Sequence, residues 1–186
     1  MVTSTLRLRP WQASDLPALW ELYCADPDLA RQFPPVADIA DLQCWLQTYA
    51  KSDEQNLVLA LEVAGHLAGC VAIMGKCENA NGWVFYWLAS KHRGNGYVSA
   101  ALTTLANWAL RQGGWYRLEL AYRVDNPKSG RTAQRAGFIV EGLEREKFLI
   151  DGQRINVAIA ARLATDPVPT PEISVKLHTP PEVDPS

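Results

Sequence analysis

The run His92-Arg93-Gly94-Asn95-Gly96-Tyr97-Val98-Ser99 sets two glycines between a strand-like stretch, Trp83 to Leu88, and a helical stretch, Val98 to Arg111. Glycines where a strand turns into a helix leave several main-chain N–H groups unpaired at the positive end of a helix dipole. Such a place attracts an anion, and a pyrophosphate is its natural occupant. Asn95-Gly96 is also a strong hairpin dipeptide. The residues downstream argue against a hairpin: Val98, Ala101, Leu102, Leu105, Ala106 and Ala109 are spaced as one face of a helix, not as an alternation.

The other chemistry-bearing residues are more dispersed. Asn126 and Ser129 begin the last helical run, where both types serve as caps and both can also reach a ligand. Glu78, Glu119 and Glu146 are candidate proton acceptors, with a solvated carboxylate as the plain alternative for each. The cysteines at 24, 44, 70 and 77 form no Cys-x-x-Cys pair, and His66, His92 and His178 are scattered, which argues against a metal site. Cys70 and Cys77 read as small apolar residues in or beside a strand.

Around these residues the chain reads as one domain, residues 1–164, followed by a tail, residues 165–186, in which 6 of 22 residues are proline. Disorder is the reading for the tail, although Ile173, Val175 and Leu177 alternate as an edge strand would. The net charge of −2 with no basic run gives a nucleic-acid partner no electrostatic support. No stretch approaches the ~18 apolar residues of a membrane span, and Met1 to Arg9 carries no apolar leader, so the expectation is a cytoplasmic protein without a membrane partner.

The elements follow from periodicity. Leu6–Arg9 is a first strand. Ser14 is a candidate cap for a helix to Ala25, Asp26–Pro35 a loop, and Asp38 the cap of a second helix. Two apolar runs flank Ala64-Gly65-His66 as a hairpin, and Lys76–Gly82 is a polar connection to Trp83–Leu88. The long helix to about Gly113 precedes a strand from Arg117 to Val124, and a helix spans Pro127–Ala136. A final hairpin turns at Asp151-Gly152. The order β-α-α-β-β-β-α-β-α-β-β predicts an α+β fold with a mixed, mostly antiparallel sheet of six to seven strands and helices on both faces. Its central unit, Trp83 to Val124, is parallel and right-handed.

With those residues in place, the chain resembles the GNAT superfamily of acyl-CoA-dependent N-acetyltransferases, in the branch of the ribosomal-protein alanine and spermidine acetyltransferases. Arg93, Gly96 and Val98 stand on the family's Gln/Arg-x-x-Gly-x-Gly/Ala loop. Asn126, Ser129, Gly137 and Phe138 hold its Asn-x-x-Ser and Gly-Phe, and Ile150 to Arg154 match the last hairpin of the branch. The resemblance covers roughly residues 5 to 164. Val98 stands where a small residue is usual, Ala133 where many members carry a tyrosine acid, and Phe148 where some carry a glutamate base. Asn156 and Ala160 replace an Asp and a Tyr.

The resemblance implies acetyl transfer from acetyl-CoA to a primary amine by direct attack. It implies a pyrophosphate on the N–H groups of Gly94, Asn95, Gly96, Tyr97, Val98 and Ser99, with Arg93 as an added contact, and no metal. The Ser99 hydroxyl is either a further contact or a solvated first-turn serine. The pantetheine arm would lie between the strands that end near Leu88 and start near Glu119. There Asn126 and Ser129 would bond the arm, the Leu88 N–H would polarise the thioester carbonyl, Ser129 would protonate the thiolate, and Glu119 is a candidate base. Gly137-Phe138 reads as a helix stop and a core aromatic. The acceptor is an amine or peptide, a protein N-terminal α-amine or a polyamine, and Glu21, Asp26 and Asp28 are candidates to attract it. The quaternary expectation is a monomer or homodimer. A non-catalytic acyl-CoA-binding module is the alternative. A nucleotide-binding protein is disfavoured because no Gly-x-x-x-x-Gly-Lys-Ser/Thr loop is present.

Overall fold

The computed structural model describes residues 5–76 and 78–179. Its strands are β1 (Leu6–Pro10), β2 (Leu57–Val63), β3 (His66–Met74), β4 (Asn81–Leu88), β5 (Arg117–Arg123), β6 (Ile139–Ile150), β7 (Gln153–Leu163) and β8 (Val175–Leu177). They form one sheet in the order β6-β7-β5-β4-β3-β2-β1-β8. Only β4 with β5 and β1 with β8 run parallel; the other pairs are antiparallel. The helices are α1 (Leu16–Ala25), α2 (Pro27–Ala30), α3 (Ile39–Thr48), α4 (Tyr97–Arg111) and α5 (Pro127–Arg135).

The α+β class and the mixed sheet are those the periodicity predicted, with helices on both faces. On one face, Leu102, Leu105, Ala106 and Ala109 of α4 pack on Leu59, Val71, Ile73 and Leu118. On the other, Leu19 and Leu22 of α1 and Leu42 and Trp45 of α3 pack on Val58, Cys70 and Trp87. Alternation along the strands feeds both cores: Val84 and Leu88 of β4 belong to the first, Phe85 and Trp87 to the second. In the second core the Trp45 ring meets two others edge to face, Phe33 at 4.8 Å and Trp11 at 5.7 Å.

Two local details differ from the sequence reading. Ser14 does not cap α1. A 3-10 turn, Ala13–Asp15, precedes that helix, and the Asp15 carboxylate is taken by Arg9 at 2.7 and 2.8 Å and by the Gln12 N–H at 2.9 Å. Asp26–Pro35 is not loop throughout, because Asp26 caps the short α2 by accepting from the Asp28 N–H at 3.1 Å. Asp38 does cap α3, accepting from the N–H groups of Ala40 and Asp41.

The largest difference is the tail. Its described part is ordered against the body and supplies the eighth strand. Asp166 accepts the Leu163 N–H at 2.8 Å, Pro169 accepts from Asn107 Nδ2 at 3.0 Å, and His178 donates its N–H to Leu8. Prolines 167, 169 and 171 exclude a helix but allow the extended path this strap takes. The apolar alternation of Ile173, Val175 and Leu177 packs on the α4 core. Residues 180–186 lie outside the described part.

The strap also covers a buried cation. Arg162 is 1% exposed. Its guanidinium donates to Asn107 Oδ1 at 2.6 Å and to the Ala136 carbonyl at 3.0 Å, and burial pushes its proton affinity down. Asn107 therefore joins α4, β7 and the strap through one side chain. Replacing it with leucine keeps helix propensity and removes the acceptor of a buried charge. Asn107→Leu is expected to lower stability by about 2–3 kcal/mol, seen as a lower urea midpoint with an unchanged slope.

Candidate functional site

The loop between β4 and α4 has the conformation its glycines allow. Gly94 and Gly96 have φ of +86° and +77°, in the left-handed region that side chains resist, and Gly96 is the residue before the first helical turn. Among the described residues, no main-chain N–H from Gly94 to Ser99 has a partner; the ladder of α4 starts with Ala100 donating to the Gly96 carbonyl. The donors thus converge at one helix terminus. Tyr97 and Val98 turn their side chains onto the core, so the valine at 98 leaves its N–H open. The Ser99 side chain is buried rather than solvated, and the Ser99 carbonyl accepts from Thr103 Oγ1. Asn95 Nδ2 donates to the His92 and Arg93 carbonyls and closes the loop on itself.

Arg93 braces this loop from behind. Its Nε donates to the Leu88 carbonyl at 2.9 Å, one Nη to Asp28 at 3.0 Å, and the other lies 3.5 Å from Asp26. Asp26 in turn accepts the Ser90 N–H at 2.7 Å. Burial works against its charge, yet the Ser90 bonds and Arg93 win and hold the carboxyl below its usual value. Asp26 and Asp28, candidate attractors for an amine, are therefore the clamp that joins α2 to the loop. Glu21 stands exposed on α1.

The strands either side of the loop diverge. β4 pairs with β5 only from Asn81 to Trp83, against Arg117 to Glu119. Beyond that point β4 keeps its ladder to β3 as far as Leu88, and β5 its ladder to β7 as far as Arg123. The facing edges, Val84–Leu88 and Leu120–Arg123, are left without mutual bonds. They form a slot lined by main-chain donors and acceptors that leads to the Gly94–Ser99 amides. An extended arm carrying amide groups suits such a slot, since it can pair with both edges as a strand would.

Ser129 stands on the α4 side of this slot. Asn126 accepts the Ser129 N–H at 3.2 Å and caps α5. The Ser129 hydroxyl shares a hydrogen bond of 2.6 Å with the Tyr86 phenol, which joins α5 to the unpaired part of β4. Gly130 permits this approach, because a Cβ there would lie 2.9 Å from the Tyr122 ring. In the sequence Tyr86 stands only with Trp83 and Trp87 as an aromatic of the strand entering the loop, some of which must be packing residues; only the tertiary fold brings residue 86 to residue 129. Ala133 and Phe138 are buried in the core, and Gly137, at φ +84°, ends α5.

Glu119 Oε1 accepts from Arg117 Nε at 2.6 Å, and Arg117 also pairs with Glu141 of β6. Glu119 thus sits where the β4–β5 ladder ends, with its carboxylate engaged. Glu146 is exposed in a bulge of β6, its N–H on Asn156 Oδ1; Glu78 is exposed in the β3–β4 connection. Cys70 is fully buried, which pushes its thiol up to about 12, too high for a nucleophile. Cys77 lies outside the described residues.

Residues 5–139 match the acetyltransferase (GNAT) domain. The chain belongs to the GNAT family. Among curated relatives, it is 40% identical over 74 residues to the ribosomal-protein-serine acetyltransferase of Escherichia coli K12. That match takes in 39% of this chain and 41% of the relative, so the chain spans less than half of it. Two of the solved structures that share the fold show the extent of the likeness. The ribosomal L7/L12 alpha-N-protein acetyltransferase in complex with coenzyme A has a TM-score of 0.73 at 23% identity, covering 88% of this chain and 96% of that one. The spermidine N-acetyltransferase of Vibrio cholerae in complex with CoA and spermine has a TM-score of 0.75 at 20% identity, covering 87% and 97%. The strands and helices of the GNAT chain's described residues are this family's fold. No helix among the described residues is long and apolar enough to cross a membrane.

The clamp behind the loop has a pH signature. Because Asp26 binds its proton more weakly folded than unfolded, its contribution is present above the ordinary aspartate value of about 3.9 and is lost as pH falls through the lower, folded value. Asp26→Ala is expected to cost about 1–3 kcal/mol at pH 7. The gap from wild type should narrow below pH ~4, as read from urea unfolding at stepped pH.

Proposed function

We propose that the protein is an acetyl-CoA-dependent N-acetyltransferase whose acceptor is an α-amine, such as a peptide N-terminus. The observation that carries the reading is the opening of the β4–β5 slot onto the unpaired amides of Gly94 to Ser99. In this reading those amides hold the pyrophosphate and the slot edges hold the pantetheine arm. The Leu88 N–H polarises the thioester carbonyl as negative charge develops on it. The Ser129 hydroxyl meets the sulfur as the C–S bond breaks, and Asn126 orients the arm and the serine. Arg93 acts by holding the loop. Acetyl-CoA is the donor, and no metal takes part.

The acceptor follows from proton chemistry. Glu119 is taken by Arg117, and Asp26 and Asp28 by Arg93. A site whose nearby carboxylates are engaged suits an amine that reaches it already neutral. An α-amine with a pKa near ~8 is about a tenth neutral at pH 7, whereas a lysine near ~10.4 is neutral in about one molecule in 2,500, a gap of ~3 kcal/mol. The name of the ribosomal-protein-serine relative supports a protein as acceptor. Glu119 keeps a part only if substrate binding frees it from Arg117.

Two measurements test the proposal. Isothermal titration with coenzyme A should give heat with the wild-type chain and none with Gly96→Asp, which adds negative charge and strain at φ +77°. Thiol release with acetyl-CoA at pH 7 should run at least tenfold faster for a peptide with a free N-terminus than for spermidine or an Nα-blocked lysine peptide. The reverse ranking would overturn the acceptor. Binding without turnover on any amine would identify a non-catalytic acyl-CoA module.

A further inference from the structure

We infer that Tyr86 is a positioning residue for acyl transfer: its phenol donates to Ser129 Oγ and so holds the serine oxygen in place with its own hydrogen directed away from the phenol, to meet the departing sulfur. The inference rests on the reading that Ser129 faces the thioester.

The argument starts from a count of protons. Tyr86 and Ser129 are hydroxyls with one hydrogen each, and the 2.6 Å between them admits one hydrogen bond. If the serine donates, its hydrogen is spent on Tyr86, and the phenol is left the longer contact of 3.3 Å to the Ser129 carbonyl. If the phenol donates, the short bond has the more acidic hydroxyl as donor. The Ser129 Oγ–H then has no partner within the pair and points elsewhere. The second arrangement uses the stronger donor at the shorter distance, and it leaves one hydrogen uncommitted beside the slot.

The surroundings hold this arrangement. Tyr86 lies on the part of β4 past the last bond to β5, with its ring against the α4 core. On the other side Gly130 lies close against the Tyr122 ring, and the Asn126 cap holds the Ser129 main chain. Burial pushes the Tyr86 phenol up, which keeps it a neutral donor at working pH.

The step balances without a further reactant. The amine nitrogen bonds to the thioester carbon, the C–S bond breaks, and its electron pair goes to sulfur. Charge gathering on sulfur is met by the Ser129 O–H, while the proton lost by the amine goes to solvent. Tyr86 keeps its own proton throughout and acts through Ser129.

Tyr86→Phe removes one oxygen and keeps the ring. It should lower kcat by about tenfold to a hundredfold with the KM for acetyl-CoA within twofold and the thermal midpoint little changed. Ser129→Ala should show a loss at least as large, and the double variant should be no slower than Ser129→Ala alone, because both changes remove one interaction. Multiplying losses, or a Tyr86→Phe enzyme with full kcat beside a slow Ser129→Ala, would overturn the role of Tyr86 and leave the acetyltransferase reading standing. Full kcat in Ser129→Ala would overturn the inference together with the part assigned to Ser129. Absence of coenzyme A binding in the wild type would instead sink the donor-site reading itself.

Discussion

The short ladder between β4 and β5 is the constraint on which the rest of the molecule depends. A sheet normally satisfies its main chain by continuing to pair. Here pairing stops after Trp83 and Glu119, and the strands part as each keeps its other neighbour. The unpaired edges then need a ligand or water, and the loop that follows β4 delivers further unpaired amides to the same place. The helices make this tolerable. α4 anchors the loop side through Leu102, Leu105 and Ala106, and α5 anchors the β5 side through Ala133 and the Tyr122 contact. The opening is therefore held by packing on both flanks.

Charge is arranged to support that opening. Arg93 links the end of β4 to α2, and Arg117 ties Glu119 to Glu141 across the other flank. The ionised groups nearest the slot are mostly spent on structure, which leaves hydrogen-bond donors and hydroxyls as the groups free for chemistry. The Tyr86–Ser129 pair is one such contact, and it joins β4 to α5 beside the opening that the sheet leaves.

Local pattern made most of the fold legible. Helix spacing in Val98–Ala109, the capping aspartate at 38, and the hairpin dipeptides at Gly65 and Asp151-Gly152 all act within a few residues, and each element was found where its pattern placed it. The misses came from competition at a distance. Asp15 rather than Ser14 governs the start of α1 because Arg9 claims its carboxylate. Proline content in residues 165–186 implied disorder, yet the described part, 165–179, is ordered. Extended chain is the conformation proline permits, and α4 with β1 offers it a surface.

At the site the same division holds. The sequence alone determined the donor loop, because glycine's access to positive φ and a following helix are properties of adjacent residues. It also marked Asn126 and Ser129 as helix-start residues. What only the tertiary structure decided was who spends which charge or proton on whom: Arg93 on Asp26 and Asp28, Arg117 on Glu119, Tyr86 on Ser129. Those partners lie far apart along the chain, and a hydrogen bond is decided by a few tenths of an ångström, which no spacing of residue types encodes.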